Sequence, residues 1–313
     1  MAGSVNSYLA DLLQIHWLRP ETALWRCFDC MLMERHRDLH GPSVDLGCGD
    51  GTLSYVMAGG RIHDYDVFRD VAEPSGYGHG VDIHNVAPQT LLELDDSGLR
   101  YFFSMGVDHK QGLIEKARRF KNFYCDTLVH DLNKPLPLPS ESFASAFSNV
   151  LYWLDDIDSA LQDWNRILKP AGRLFLFVPN HNFKQKAWLY YAAPHGGERR
   201  YFNYFDRGYN ALIRHCYDHK RWTTLFKKHR FAVLHHHTYL TDPVMEIWNL
   251  GTRPLAPLLI DMANRLSSEG REAVKRKWID FFIAFMSPII EGEMGRVVSN
   301  DKCAFHFYVL EKN

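Results

Sequence analysis

The chain has 313 residues, enough for one large domain or a core with a sizeable appendage. Hydrophobic residues make up 46% and charged residues 23%, which suits a globular protein and excludes a disordered or fibrous chain. The formal net charge is -1, so no global positive field draws a polyanion and no nucleic-acid partner is expected.

In chain order, Ser7 to His36 carries apolar residues at helical spacing, with a second helix starting at Pro20-Glu21. Cys27 and Cys30 lie in this run as the single C-x-x-C. No second pair completes a zinc site, so they are assigned to packing and no metal is expected. Gly41-Pro42 breaks the chain before a short strand, Ser43 to Leu46, and a glycine-rich turn. A helix at Thr52 to Ala58 follows, then an irregular stretch over residues 59–98, too long for an ordinary connection and therefore an insertion. Further strands are expected at Tyr101 to Val107, Asn122 to Val129, Phe143 to Ser148 and Arg173 to Val178, with helices at Lys110 to Phe120 and Asp158 to Leu168 between them. Strands alternating with helices predict a mostly parallel sheet with helices on both faces.

After Asn180 the pattern becomes aromatic and basic, then gives a helix at Lys220 to His229 and a strand at Phe231 to Tyr239. Asp242 to Gly295 is largely helical, and Ala304 to Leu310 forms a last strand. The best apolar stretch, Trp278 to Ile290, is broken by Asp280 and Pro288, so it reads as a buried or lid helix, or at most an interfacial one. No apolar run reaches the roughly 20 residues of a bilayer span, and no charged start precedes a long apolar segment, so neither a transmembrane helix nor a signal peptide is expected. A cytoplasmic protein with reduced thiols is the resulting expectation. His235-His236-His237 has the composition of a metal cluster, but side chains alternate faces along a strand, so the three do not converge.

The segment Val44-Asp45-Leu46-Gly47-Cys48-Gly49-Asp50-Gly51 joins strand to helix through glycines. Glycine permits close backbone approach and dihedrals barred to other residues, and the following helix start offers free N–H groups. This segment resembles motif I of the class I S-adenosylmethionine-dependent methyltransferases, and the likeness extends over Val44 to Pro179, Arg221 to Phe231 and the last strand. The whole chain resembles the broad "type 11" group. The resemblance implies a Rossmann-like, seven-stranded, mostly parallel sheet with helical insertions, and S-adenosylmethionine as cofactor.

It also implies roles for individual residues. Asp45, with Gly47, Cys48 and Gly49, would hold the methionine end of the donor. Asp108, with His109 beside it, would accept from both ribose hydroxyls. Asp108 lies far beyond the usual interval of about 20 residues after the glycines, and Asp66 and Asp82 stand as closer alternatives. Asp131 and Leu132 would meet the adenine, though Asp131 also suits a turn. Asn149 and Val150, in a segment resembling motif IV, would line the sulfonium end. Arg19 is either a partner of the methionine carboxylate or part of a surface ion pair.

Residues 1–40 read as N-terminal helices, 41–240 with 301–313 as the methyltransferase core, and 241–300 as a helical lid. Ligands on such sheets bind beyond the carboxyl ends of the strands, so the insertion over residues 180–218 and the helical lid are expected over the methyl group as an acceptor pocket. Candidates for a base are His181, His195 and Tyr152, with Tyr201, Tyr204, Tyr209 and Tyr217 as a pocket wall. The implied partner is a small-molecule acceptor, saccharide or lipid-linked compounds included, methylated on oxygen or nitrogen. Two rivals from other classes are a dinucleotide-binding oxidoreductase and a binding module on a methyltransferase fold. The chain has neither the Pro-Pro element of amino-directed DNA enzymes nor a Pro-Cys nucleophile after its fourth strand.

Overall fold

The computed structural model describes residues 4–36, 39–66, 93–186, 213–250, 255–296 and 299–313. Two helices open the chain, α1 (Val5–His16) and α2 (Pro20–Arg35). Ser4 caps α1 by accepting from the Ser7 N–H, and Pro20 occupies the first turn of α2, where a missing N–H costs nothing. Then come β1 (Ser43–Leu46), α3 (Thr52–Met57), β2 (Arg61–Asp64), β3 (Glu93–Asp95), β4 (Phe103–Asp108), α4 (Gln111–Ala117), β5 (Tyr124–Val129) and β6 (Phe143–Ser148). The chain continues through α5 (Ile157–Ile167), β7 (Leu168–Pro179), α6 (Phe183–Lys186), α7 (His219–Lys228) and β8 (Phe231–Thr241). Three helices, α8 (Asp242–Leu250), α9 (Ala256–Asn264) and α10 (Ser268–Met294), precede the last strand, β9 (Cys303–Lys312).

Seven strands form one sheet in the order β5-β4-β1-β6-β7-β9-β8. Pairing is parallel from β5 to β7, and β9 runs antiparallel between β7 and β8. The central strands are buried on both faces. β1 has no exposed residue, and β9 is buried from Cys303 through Leu310, as expected of strands covered by helices on each side. The edges are wet: Cys125 and Asp126 on β5, and Val233 to His235 on β8, are exposed. The expected Rossmann-like sheet is therefore present, with its last strand reversed.

Most expected elements lie within two residues of their predicted bounds, and the differences have local causes. β7 begins at Leu168 rather than Arg173, because α5 ends at Ile167 and Leu168 already pairs with Phe143. The register then shifts, with Ala171 at φ 58°, so Lys169 to Gly172 bulge out before Arg173 pairs with Ser145. The stretch 59–98 is not wholly irregular. β2 and β3 pair antiparallel, and Asp11 of α1 anchors β2 through an ion pair with Arg61 at 2.8 Å and a bond from the Ile62 N–H at 3.2 Å. Trp278 to Ile290 belongs to a longer helix, α10, which carries Pro288 inside it.

The N-terminal and C-terminal helices pack on each other: α10 lies along α1 and α2, and α8 packs on α2. A buried polar knot ties them together. The Asp66 carboxylate accepts from the Trp17 indole N–H at 2.9 Å and the Arg271 Nε at 3.0 Å, while the Lys275 ammonium donates to the Tyr65 carbonyl at 3.1 Å. Asp66 and Lys275 are almost fully buried. Asp66 therefore has a structural employment in this knot. Cys27 and Cys30 are fully buried free thiols, as the packing assignment expects. The three consecutive histidines separate as strand geometry requires. The His235 and His237 rings face His36, whereas His236 stacks on His219 at 4.1 Å with its Nε2 3.0 Å from His306 Nδ1. Among the described residues no group of three side chains could hold a metal ion.

Removing one member of a buried ion pair leaves the other charge unpaired, at a cost of about 3–5 kcal/mol. Asp66→Ala is expected to lower unfolding free energy by that order in denaturant titration, while donor affinity of the folded fraction stays unchanged. Unaltered stability with lost affinity would instead make Asp66 a ligand-binding carboxylate.

Candidate functional site

The order of the sheet reverses at β1. The chain moves outward through β4 and β5, then returns to place β6 on the other side of β1. Open α/β sheets bind ligands in the crevice beyond the carboxyl ends at such a switch point. Here the crevice is bounded by the glycine turn after β1 and by Asn149-Val150 after β6. The two walls are joined, since the Ser148 hydroxyl donates to the Leu46 carbonyl at 2.8 Å and accepts from the Val150 N–H at 3.3 Å.

Two glycines in this turn are required for different reasons. A Cβ on Gly47 would lie 2.3 Å from a methyl of Val150, so any side chain there would push the walls apart. A Cβ on Gly49 would meet nothing within 4 Å, so this glycine faces open space, and its φ of 58° is left-handed. Gly49 is thus where backbone can approach a ligand. The α3 start beyond it is closed locally: the Asp50 carboxylate accepts from the Thr52 N–H at 3.1 Å and the Thr52 hydroxyl at 2.6 Å.

Asp108 ends β4 beside this turn. One carboxylate oxygen accepts from the Gly49 N–H at 3.1 Å, the other from the Lys110 N–H at 3.0 Å. His109 follows with an exposed ring whose Nδ1 lies 3.4 Å from Asp108. Of the three acids considered for the ribose, Asp108 is at the glycine turn, Asp66 is consumed in the knot described above, and Asp82 lies outside the described residues.

Asp45 is fully buried beneath the turn. One oxygen accepts from the Tyr124 hydroxyl at 2.7 Å, and the other is buried without a hydrogen-bond partner. Burial pushes the carboxyl up to about 7. Hydrogen bonds from Ser54 and Tyr124 oppose that shift, and the nearby Asp108 charge adds to it. An orphaned buried carboxylate oxygen below an open glycine turn fits a cationic group such as the ammonium of the methionine moiety, reached directly or through water. Cys48 is nearly buried, and burial raises its thiol well above the usual range, so it is a packing residue and not a nucleophile.

At the end of β5, Asp131 accepts from the Asn133 N–H and side-chain amide, each at 3.0 Å. The backbone bond is the larger cause holding its carboxyl below the usual range. Asp131 therefore performs a turn role whether or not it meets a ligand, and Leu132 beside it is buried. Arg19 sits half-buried at the start of α2.

Beyond β7, His181 is exposed at the strand's carboxyl end. The Asn180 side-chain amide donates to the Asn300 and Cys303 carbonyls, each at 2.8 Å, which fixes which end is nitrogen. Its oxygen then faces the His181 ring, 2.7 Å from Nδ1. An oxygen only accepts, so Nδ1 carries the proton and Nε2 keeps its lone pair. Sequence reasoning did not find Asn180, because its partners lie more than a hundred residues away. Tyr152 is buried, its ring packed on Phe305 and Trp153, so it forms a wall and not a free hydroxyl group in the crevice. Tyr217 packs on Trp222 under Arg221 and bonds His215. His195, Tyr201, Tyr204 and Tyr209 lie outside the described residues.

The seven-stranded sheet, parallel from β5 to β7 with a glycine turn at its switch point, is the Rossmann-like arrangement that the sequence resemblance implies. Residues 89–176 match the family described as Methyltransferase domain, a segment that begins after the glycine turn and runs into β7. No curated protein matches the chain. Among solved structures, the (4+2)-cyclase SpnF aligns over 92% of this chain and 80% of its own, at 14% identity and a TM-score of 0.48. The YcgJ protein of a Bacillus aligns over 91% and 98%, at 13% identity and a TM-score of 0.44. Geranyl diphosphate C-methyltransferase from Streptomyces coelicolor aligns over 94% and 84%, at 11% identity and a TM-score of 0.46. None of these is similar enough for an acceptor to be carried over. Residues 89–176 thus carry a methyltransferase domain within a Rossmann-like α/β sheet, and S-adenosylmethionine is the methyl donor that the domain implies.

The buried Asp45 gives a pH signature. Its carboxyl titrates near 4 when unfolded and near 7 when folded, so the folded state holds a proton that the unfolded state has lost between those values. That stabilising contribution is complete below about pH 4 and is lost as pH rises through about 7. Asp45→Asn removes the titration. Its melting temperature relative to the unmutated, ligand-free protein is expected to rise between about pH 5 and about pH 8. Parallel melting curves across that range would mean Asp45 titrates as an ordinary carboxylate.

Proposed function

We propose that the enzyme transfers the methyl group of S-adenosylmethionine to a hydroxyl oxygen or amine nitrogen of a small-molecule or glycan-type acceptor. The observation that carries this reading is the His181 ring, oriented by Asn180 so that Nε2 is left as a base. Carbon and sulfur acceptors have less need of a base at that position, whereas a hydroxyl must lose its proton as the new bond forms and an ammonium must lose one before it can attack.

S-adenosylmethionine supplies a methyl group already activated on a sulfonium. The protein's own work is then alignment and proton removal. Gly47, Gly49 and Val150 shape the crevice, Asp45 and Asp108 hold the two polar ends of the donor, and Asn149 lines the wall between them. Asp131 and Leu132 border the adenine, with His109 at the rim. Alignment of this kind can account for several kcal/mol of a barrier. His181 Nε2 takes the acceptor proton, and Asn180 holds the ring while charge develops on it. The helices α8 to α10 take the part of the lid expected over the acceptor side. The net charge of -1 and the absence, among the described residues, of a helix long and apolar enough to cross a membrane agree with a small acceptor rather than nucleic acid or a span-bound one.

Two variants test the assignment. Asp108→Ala is expected to abolish measurable S-adenosylhomocysteine binding while circular dichroism stays native. Retained affinity would move the ribose role to Asp82. His181→Ala is expected to leave donor affinity intact and to slow labelled methyl transfer by about 10²–10⁴-fold, the span of general-base catalysis. Turnover at the unmutated rate would remove His181 as the base.

A further inference from the structure

Tyr124 opens β5 and is buried beside Asp45 of β1. A glycine clears room at each edge of its ring. A Cβ on Gly51, the last glycine of the turn, would lie 2.9 Å from Tyr124 Cε2. A Cβ on Gly106 of β4 would lie 2.9 Å from Cδ1 and from Cε1. Phe103 stacks on the ring at an interplanar angle of 20°, and Phe123 meets it edge-on. The ring therefore has one slot, and the slot aims its hydroxyl at Asp45 Oδ2, 2.7 Å away.

Asp45 itself is fully buried, and its Oδ1 has no hydrogen-bond partner. Among the described residues, the titratable groups that face it are Tyr124 from β5, Asp108 from β4, Cys48 from the turn and Tyr101 just ahead of β4. Ser54 of α3 adds a hydroxyl, and Phe147 of β6, paired with Asp45 across the sheet, brings no charge. None of these groups is a cation. Burial favours the protonated acid here, while a hydrogen bond donated to the carboxylate favours the charged one. Burial also lifts the Tyr124 hydroxyl well above its usual range, so it stays protonated and acts as a donor throughout the neutral region.

We propose that Tyr124 is a positioning residue for the methyl donor: it holds Asp45 as a carboxylate with Oδ1 free for the ammonium of the methionine moiety, so that donor binding and ionisation of Asp45 occur together. This rests on the reading of the crevice as the S-adenosylmethionine site. Below about pH 7 the free protein carries Asp45 as the neutral acid. The arriving ammonium displaces that proton to the buffer and takes its place as counterion. One proton then leaves for each donor bound, and affinity falls about tenfold for each pH unit below about 7. Loss of the Tyr124 hydroxyl removes a bond that favours the charge and moves this transition upward by about one pH unit.

Binding titrations of the full chain with S-adenosylhomocysteine and with 5′-methylthioadenosine, from about pH 5.5 to about pH 8.5, test this. The second ligand keeps the adenosine and the sulfur and lacks the ammonium, so a pH effect arising at the ribose acid would appear with both. The unmutated chain is expected to bind S-adenosylhomocysteine more tightly as pH rises to about 7 and evenly above it, with no such trend for 5′-methylthioadenosine. This comparison needs no variant to fold. Tyr124→Phe, with native circular dichroism, is expected to weaken S-adenosylhomocysteine roughly tenfold at about pH 6.5 and less than about threefold at about pH 8.5, and to leave 5′-methylthioadenosine unchanged. In an Asp45→Asn chain the same change is expected to have no pH-dependent effect. Flat affinity of the unmutated chain, an equal loss at every pH in Tyr124→Phe, or the same trend with both ligands would each overturn the role of Tyr124 and leave the donor site standing. Binding of neither ligand by the unmutated chain at any pH would remove the donor site, and this role with it.

Discussion

Gly47 and Val150 meet where the sheet reverses direction, and no Cβ fits between them. That contact sets the distance between the two walls of the crevice, and much else follows from it. Ser148 bridges the walls, Asp108 ties the glycine turn to β4, and Asp45 sits sealed below with one oxygen unpaired. A wider turn would flood Asp45 and let it ionise freely, and a narrower one would leave no open space at Gly49.

The same logic runs outward through the helices. α1, α2, α8 and α10 come from opposite ends of the sequence, yet the Trp17–Asp66–Arg271 knot binds α1 and α10 to the chain leaving β2. A buried ion pair of this kind adds little net stability compared with a well-packed apolar substitute, but it is costly to break. Its use here is to fix where α10 lies. That position leaves the other side of α10 facing outward with its phenylalanines.

Much of the core was legible in the sequence because its signals are local. The β6 bounds, Phe143–Ser148, are those predicted from its apolar run, and the glycine turn after Leu46 is where the motif sets it. The separation of His235, His236 and His237 followed from strand alternation alone. What was not legible depends on residues distant in the chain. The β2–β3 pair forms because Asp11, about fifty residues earlier, holds Arg61 and Ile62. Asp66 has the local setting of a ribose acid, but Arg271, 205 positions away, occupies its carboxylate. The His181 tautomer depends on Asn180, whose own partners are the Asn300 and Cys303 carbonyls.

The account stands on a donor site at the switch point, and calorimetric titration of the purified chain with S-adenosylmethionine, S-adenosylhomocysteine and NADH tests it most directly. Saturable one-to-one binding of both adenosyl ligands with no heat from NADH is the predicted result. NADH binding, or no adenosyl binding by a folded sample shown to be free of co-purified ligand, would contradict it.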